Sequence, residues 1–178
     1  MSLAADLDYR IRPAGRAQRT VQGVVATRAG AWVFARVLPR LDTWVQRLSH
    51  QRHSAPGLLA GLPVVDLTTT GRRSGVPRTT HLIAVPHDGT LALLGTNFGQ
   101  PSTPAWVLNL EADPRATLSY RGRTLPVVAR LVGGAEEAEV LAHAERLYVG
   151  YRSYQSRITG RRLRIFVLER APGEPDGG

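Results

Sequence analysis

The spacing of apolar residues along this chain changes character once. From about residue 16 to residue 49, Phe34, Val37, Leu38, Leu41, Trp44, Val45 and Leu48 recur in steps of three and four, the period of a helix face. Pro39 interrupts the run, which predicts a kink or two consecutive helices. Ahead of it, residues 1–15 are polar and basic with Pro13 and Gly15, and read as a mobile arm. A Ser-, Pro- and Gly-rich linker spans Ser54 to Pro63.

After the linker the pattern is that of strands. Val64 to Thr70 is apolar and β-branched, Arg78 to Pro86 is a second strand, and Thr90 to Gly95 is a third. Gly71 to Pro77 joins the first two through a run of turn formers, and His87-Asp88-Gly89 is a tight turn. Pro104 stands where a first helical residue is favoured, with Thr103 as its cap, so a short helix is predicted from Ala105 to Ala112, halted at Pro114. Thr117 to Tyr120 and Thr124 to Leu131 form a hairpin about Arg121-Gly122-Arg123. Glu136 and Glu137 suit a helix's first turn, and Val140, Leu141, Ala144, Leu147 and Tyr148 follow on one face. Arg162 to Glu169 is the last strand, and the tail is expected to be disordered. About six mostly antiparallel strands with short helices make an α+β chain built on a small barrel. The expected organisation is an arm (1–15), an amphipathic helical extension (16–61), a barrel domain (62–170) and a tail (171–178).

Composition narrows the chemistry. The 178 residues contain no cysteine, which excludes disulfides, thiolate metal sites and a cysteine nucleophile. All 23 basic residues are arginines, so a Schiff-base or P-loop lysine is excluded too. Against 14 acidic residues the balance is +9, which predicts an acidic partner: nucleic acid, anionic lipid or a polyanionic ligand. Residues 1–60 hold nine Arg and three Asp, a net +6, so the extension carries most of the surplus. Its basic amphipathic stretch (16–49), which includes Trp32 and Trp44, either packs on the domain or lies on a membrane surface. With no targeting signal and no apolar run long enough to span a bilayer, the placement expected is cytoplasmic, with peripheral contact at the inner face of the membrane as the second of those options.

Three groups of residues invite a functional reading. Arg72, Arg73 and Arg78 surround a turn bounded by Gly71 and Gly75, where guanidinium forks and backbone N–H groups could grip an anion; the plain alternative is a solvated basic turn. Trp106 and Asn109 share one helix face and could wall a flat heteroaromatic ring; the alternative is a buried indole with a helix-terminating Asn. Tyr148, Tyr151 and Tyr154 recur every three residues and could line an aromatic pocket with a hydroxyl as proton donor, or simply pack together. The five histidines show no metal-ligand spacing, and no nucleophile motif or carboxylate pair stands out. Any redox or transfer chemistry would therefore belong to a cofactor.

These motifs carry a resemblance. Leu67-Thr68-Thr69-Thr70-Gly71-Arg72-Arg73-Ser74-Gly75-Val76-Pro77-Arg78-Thr79-Thr80, then Thr96-Asn97-Phe98-Gly99, Pro104-Ala105-Trp106 with Leu108-Asn109-Leu110, Asp113-Pro114, and the Tyr148, Tyr151, Tyr154-Gln155 run resemble the deazaflavin-dependent nitroreductase family in order and spacing. The resemblance covers about Leu62 to Glu169 and implies a split β-barrel that binds coenzyme F420, a deazaflavin with a phosphate and an oligoglutamate tail. It implies that Arg72, Arg73, Ser74, Arg78, Thr79 and Thr80 hold the phosphate and tail, and that Thr96, Asn97, Ala105, Trp106 and Asn109 lie near the ring and its linker. It makes Tyr151 the active-site tyrosine, with Tyr148 and Tyr154 beside it on the substrate side. Phe98 stands where members often carry Gly-Gly or a basic residue, and is expected to narrow the substrate pocket.

The implied activity is hydride transfer from reduced F420 to an electron-poor acceptor: a quinone, a nitroaromatic or an activated enone. The competing readings are an FMN-binding split-barrel oxidoreductase and a deazaflavin carrier without turnover. A nucleic-acid module is poorly supported, because Tyr120 is the one aromatic on the Thr117–Leu131 hairpin.

Overall fold

A computed structural model of the chain describes residues 2–11, 63–147, 151 and 155–172, excluding the Phe98 side chain. The expected helices of residues 16–61, Tyr148, Tyr154 and residues 173–178 of the tail lie outside the described residues.

Strict alternation drives the first strand. In β1 (Val64–Thr70), Val65, Leu67 and Thr69 are buried while their neighbours are not. β2 (Pro77–His87), β3 (Thr90–Leu94), β4 (Arg115–Tyr120), β5 (Arg123–Leu131) and β6 (Ile165–Arg170) complete the set. They close into an antiparallel barrel in the order β1-β2-β3-β6-β5-β4, with β1 pairing β4 to seal it. The expected barrel of antiparallel strands is the observed one. Strand ends move by one to three residues: β4 starts at Arg115 instead of Thr117, and β6 at Ile165 instead of Arg162.

β3 and β6 are buried on both faces. Leu91, Leu93, Phe166 and Leu168 join Val65, Leu67, Leu118 and Val127 in the barrel interior. Ala92, Leu94, Ile165 and Val167 point outward, where Val140 and Ala144 of a long helix cover them. Burying four such apolar side chains against a helix contributes several kcal/mol, at about 25 cal/mol per Å².

Because every neighbour is antiparallel, the five connections between strands divide between two ends. One end collects the β1–β2 turn, the C-terminus of β3 and the N-termini of β4 and β6. It is capped by α2 (Ala105–Ala112), whose Trp106, Val107 and Leu110 enter the interior cluster. Pro104 itself occupies the cap position of this helix, and Thr103 does not cap it. The expectation was off by one residue.

The opposite end is closed by the N-terminal residues. α1 (Leu3–Asp6) is capped by Ser2. Leu3, Leu7 and Tyr9 are 2%, 0% and 5% exposed and belong to the interior cluster. The Tyr9 hydroxyl donates to the Ala84 carbonyl at 2.7 Å, and Asp6 pairs with Arg170 at 3.1 Å. Residues 2–11 are therefore a plug in the barrel and not a mobile arm: three apolar side chains spaced for one face find burial that the polar composition around them concealed. α3 (Gly134–Leu147) runs outside the barrel beside β2, and its buried side chains share a cluster with those of β2, β3 and β6. Among the described residues no helix is long and apolar enough to cross a membrane.

Candidate functional site

The β1–β2 turn sits on α2. Gly71 is required there, because a Cβ would lie 2.8 Å from Ser74 Oγ and 2.9 Å from the Val76 carbonyl. Gly75 takes φ +66°, a left-handed conformation that glycine adopts without strain. The turn closes on itself through Gly71 N–H to Val76 O (3.0 Å), Ser74 N–H to Gly71 O (3.1 Å), Gly75 N–H to Gly71 O (2.7 Å) and Val76 N–H to Ser74 Oγ (3.3 Å). The Arg72 N–H donates to Asn109 Oδ1 at 3.1 Å. The N–H groups of Gly71, Arg72, Ser74, Gly75 and Val76 are thus used inside the protein, and of the expected nest of backbone donors the Arg73 N–H is left without a partner among the described residues. An anion here would be held mainly by side chains.

Those side chains are available. Arg72, Arg73, Ser74 and Arg78 are exposed, and the three guanidinium groups have no carboxylate partner among the described residues. Arg78 pairs across the hairpin with Thr69, and its stem approaches Gly71. Cross-strand partners share a face, so Arg78 and Thr80 lie on the side of Thr69 and Leu67. Thr79 lies on the other face, with its hydroxyl 2.8 Å from that of Thr68. The six residues from Arg72 to Thr80 are thus not one cluster; Thr79 is set apart.

Asn109 and Trp106 have inward roles. Asn109 is 6% exposed and also donates from Nδ2 to Thr69 Oγ1 at 3.0 Å, so two buried polar side chains satisfy each other and fix the turn to α2. Trp106 is 5% exposed and meets Phe166 edge-on, with ring centroids 6.1 Å apart. Trp106 is thus a buried indole, while Asn109 lies inside the helix, does not terminate it, and braces the turn; Ala105 is exposed at the start of the helix.

The loop after β3 lies at the same end. Gly95 is pressed against Val107, where a Cβ would be 2.8 Å from Cγ2. Asn97, at φ +47° in a 3-10 turn (Asn97–Gly99), donates from Nδ2 to Ser102 O and Oγ, both at 3.0 Å. Thr96 is 9% exposed, and its hydroxyl has no hydrogen-bond partner among the described residues. Such an orphaned buried hydroxyl calls for a ligand or a water.

Arg161 was missed from the sequence. Its guanidinium donates to Gln100 O (3.2 Å), Gly95 O (2.9 Å) and Thr96 O (2.9 Å). Burial, and secondarily the charge of Arg164, pull its pKa below the ordinary arginine value. The tetrapeptide Thr-Gly-Arg-Arg of Thr70–Arg73 recurs at Thr159–Arg162, but the repeat does not distinguish an exposed arginine from one that holds main-chain carbonyls.

Tyr151 is 6% exposed and packs with Val85, Leu94, Val140 and Ile165 on the outer face of β3 and β6. It is close enough to Tyr9 to help raise that phenol's pKa, an effect dominated by the burial of Tyr9 itself.

The residues present fit an anionic ligand. Guanidinium groups with no carboxylate partner among the described residues flank one turn, and a buried hydroxyl with no partner among them lies on a loop at the same barrel end. The family model described as F420H(2)-dependent quinone reductase matches residues 38–170. An F420H(2)-dependent quinone reductase of Mycobacterium tuberculosis is 28% identical over 127 residues, covering 70% of this chain and 80% of that protein. The solved structure of an F420-H2 dependent reductase (FDR-A) superposes with a TM-score of 0.55 at 32% identity, over 60% of this chain and 94% of that one. A structure described as a domain-swapped dimer superposes with a TM-score of 0.56 at 28% identity, over 74% of this chain and 98% of that one. The chain belongs to the F420H(2)-dependent quinone reductase family and is an oxidoreductase whose cofactor is coenzyme F420.

Proposed function

We propose that the α2 end of the barrel binds reduced F420 and that the protein reduces a quinone there, with nitroaromatics and activated enones as further acceptors. Arg72, Arg73, Ser74 and Arg78 hold the phosphate and glutamate tail, and Thr80 extends that track on the face of Arg78. Thr96, Asn97 and Ala105 meet the ring and its linker, while Trp106 and Asn109 support them from behind. When bound, the reduced coenzyme supplies a hydride from C5 of its deazaflavin. The chain contributes position: a rigid wall against which two rings can be held at reacting distance. Tyr151 orients the acceptor or relays a proton to its oxygen, with Tyr148, Tyr154 and Phe98 shaping the acceptor side. For a lipid-soluble quinone, the basic amphipathic stretch 16–49 would bring the barrel to an anionic membrane surface, which co-sedimentation with anionic vesicles tests.

The observation that carries this reading is that three guanidinium groups and the buried Thr96 hydroxyl, all without a partner among the described residues, lie at the same end of the barrel. Titration with F420 and with FMN, followed by deazaflavin and flavin fluorescence, tests the cofactor; tight FMN binding without F420 binding would defeat it. Tyr151→Phe is expected to keep the F420 Kd while lowering kcat for quinone reduction about a hundredfold, the size of a lost general acid. Normal binding with no turnover in either form would instead make the protein a carrier.

A further inference from the structure

Arg161 points its whole fork at main chain. The Nη1, Nη2 and Nε groups each hold a carbonyl of the loop after β3, those of Gly95, Thr96 and Gln100, and no carboxylate pairs with the guanidinium among the described residues. A trans peptide places its C=O and N–H on opposite sides. With the Thr96 carbonyl drawn toward Arg161, the Asn97 N–H therefore faces away from it, and that N–H makes no hydrogen bond among the described residues. The loop is held from three other directions. The Asn97 carboxamide is tied to Ser102, the Gly95 N–H donates to Arg164 O, and Gly95 rests on Val107. Among the groups left without a hydrogen-bond partner by the described residues, two lie one residue apart: the buried Thr96 hydroxyl and the Asn97 N–H.

We propose that Arg161 is a positioning residue, which clamps this loop so that the Thr96 hydroxyl and the Asn97 N–H are presented to the carbonyl-bearing ring of the bound deazaflavin. A full positive charge on the Thr96 carbonyl also polarises that peptide and makes its N–H the stronger donor. The role is indirect, since each of the three nitrogens of the fork holds a loop carbonyl. It rests on the reading above that the ring lies beside Thr96 and Asn97.

The test uses the whole protein with Arg161→Met and Arg161→Lys. Lys keeps the charge and loses the fork. Two probes are titrated by fluorescence: F420, and the same deazaflavin lacking phosphate and glutamates. Arg161→Met is expected to weaken both about tenfold, the scale of one lost hydrogen bond to a strong donor. Arg161→Lys should fall between it and the native chain, and Arg72→Gln should weaken F420 alone. In Arg161→Lys, amide exchange of residues 96–100 should quicken while that of β1 and β4 does not. Native binding of the tail-less probe by both Arg161 variants, or unchanged exchange in the loop, overturns the proposal. Should Arg161→Met fail to fold, Arg161→Lys decides by the same two measurements. If the native chain binds neither probe, the site reading falls and this proposal with it, even where exchange shows that the clamp exists.

Discussion

Two sets of arginines on this barrel are used in opposite ways. Beside α3, Arg130 holds Glu136 with both terminal nitrogens at 2.8 Å and Glu169 through Nε at 3.1 Å. Arg164 pairs with Glu111 at 2.8 Å, Arg162 with Glu137 at 3.6 Å and Arg170 with Asp6 at 3.1 Å. Apart from Arg130–Glu136, which joins β5 to the helix that follows it, these pairs link segments distant in the sequence, and each positive charge is answered within the chain. At the β1–β2 turn, Arg72, Arg73 and Arg78 crowd within seven residues with no answering carboxylate among the described residues. Three like charges so close repel one another unless something outside the chain neutralises them. The paired arginines tie parts of the fold together; the unpaired ones, on the reading proposed above, take a polyanion.

The sharpest way to break this contrast is the double variant Arg72→Gln with Arg78→Gln. Each lost charge-assisted hydrogen bond removes about 1.5–3 kcal/mol. F420 affinity should fall about a hundredfold or more, and the native affinity should itself drop steeply with salt. Because both side chains are exposed, the melting temperature should stay close to native. Unchanged affinity, measured by fluorescence titration, would show that the unpaired set is only a solvated turn.

A smaller effect tests what holds the unpaired set in place. Asn109→Ala strips partners from the Arg72 N–H and the buried Thr69 hydroxyl. It should lower stability by about 1–3 kcal/mol in urea unfolding. It should also weaken F420 severalfold, because the turn loses its tie to α2. Loss of stability with native affinity would mean that the turn keeps its shape without the brace.

What the sequence made legible follows from how local each cause is. Val64–Thr70 and Ala105–Ala112 were readable because β-branched density, Pro104 and Pro114 act on their own neighbours. The arginine turn was readable because glycine and arginine density is local too. The plug of Leu3, Leu7 and Tyr9 was not, since its partners Ala84, Gly89 and Arg170 lie some 80 to 160 residues away. Asn109 and Trp106 share a helix face as the spacing required, but spacing does not say whether that face looks outward or into the barrel. Arg161 shows the same limit: its partners are main-chain carbonyls, which leave no trace in residue identity.

The paired set gives the smallest and most specific expectation. Arg130→Gln leaves Glu136 and Glu169 without their shared cation, on a surface where Arg130 and Glu136 are about half and one-third exposed. Such pairs contribute no more than about 1 kcal/mol. The pH dependence carries the signature. Arg130 holds the Glu136 carboxyl below its ordinary value of 4.5, chiefly through their hydrogen bonds. A depressed carboxylate stabilises the fold above that value and loses its contribution as pH falls through the lowered one. The stability gap between the native chain and Arg130→Gln should therefore be constant from pH 7 to 5, and should shrink as pH drops toward 3. F420 affinity at pH 7 should not change. A loss of affinity as large as that of the turn variants would erase the distinction between the two sets, because it would mean that the paired arginines also shape the field at the coenzyme.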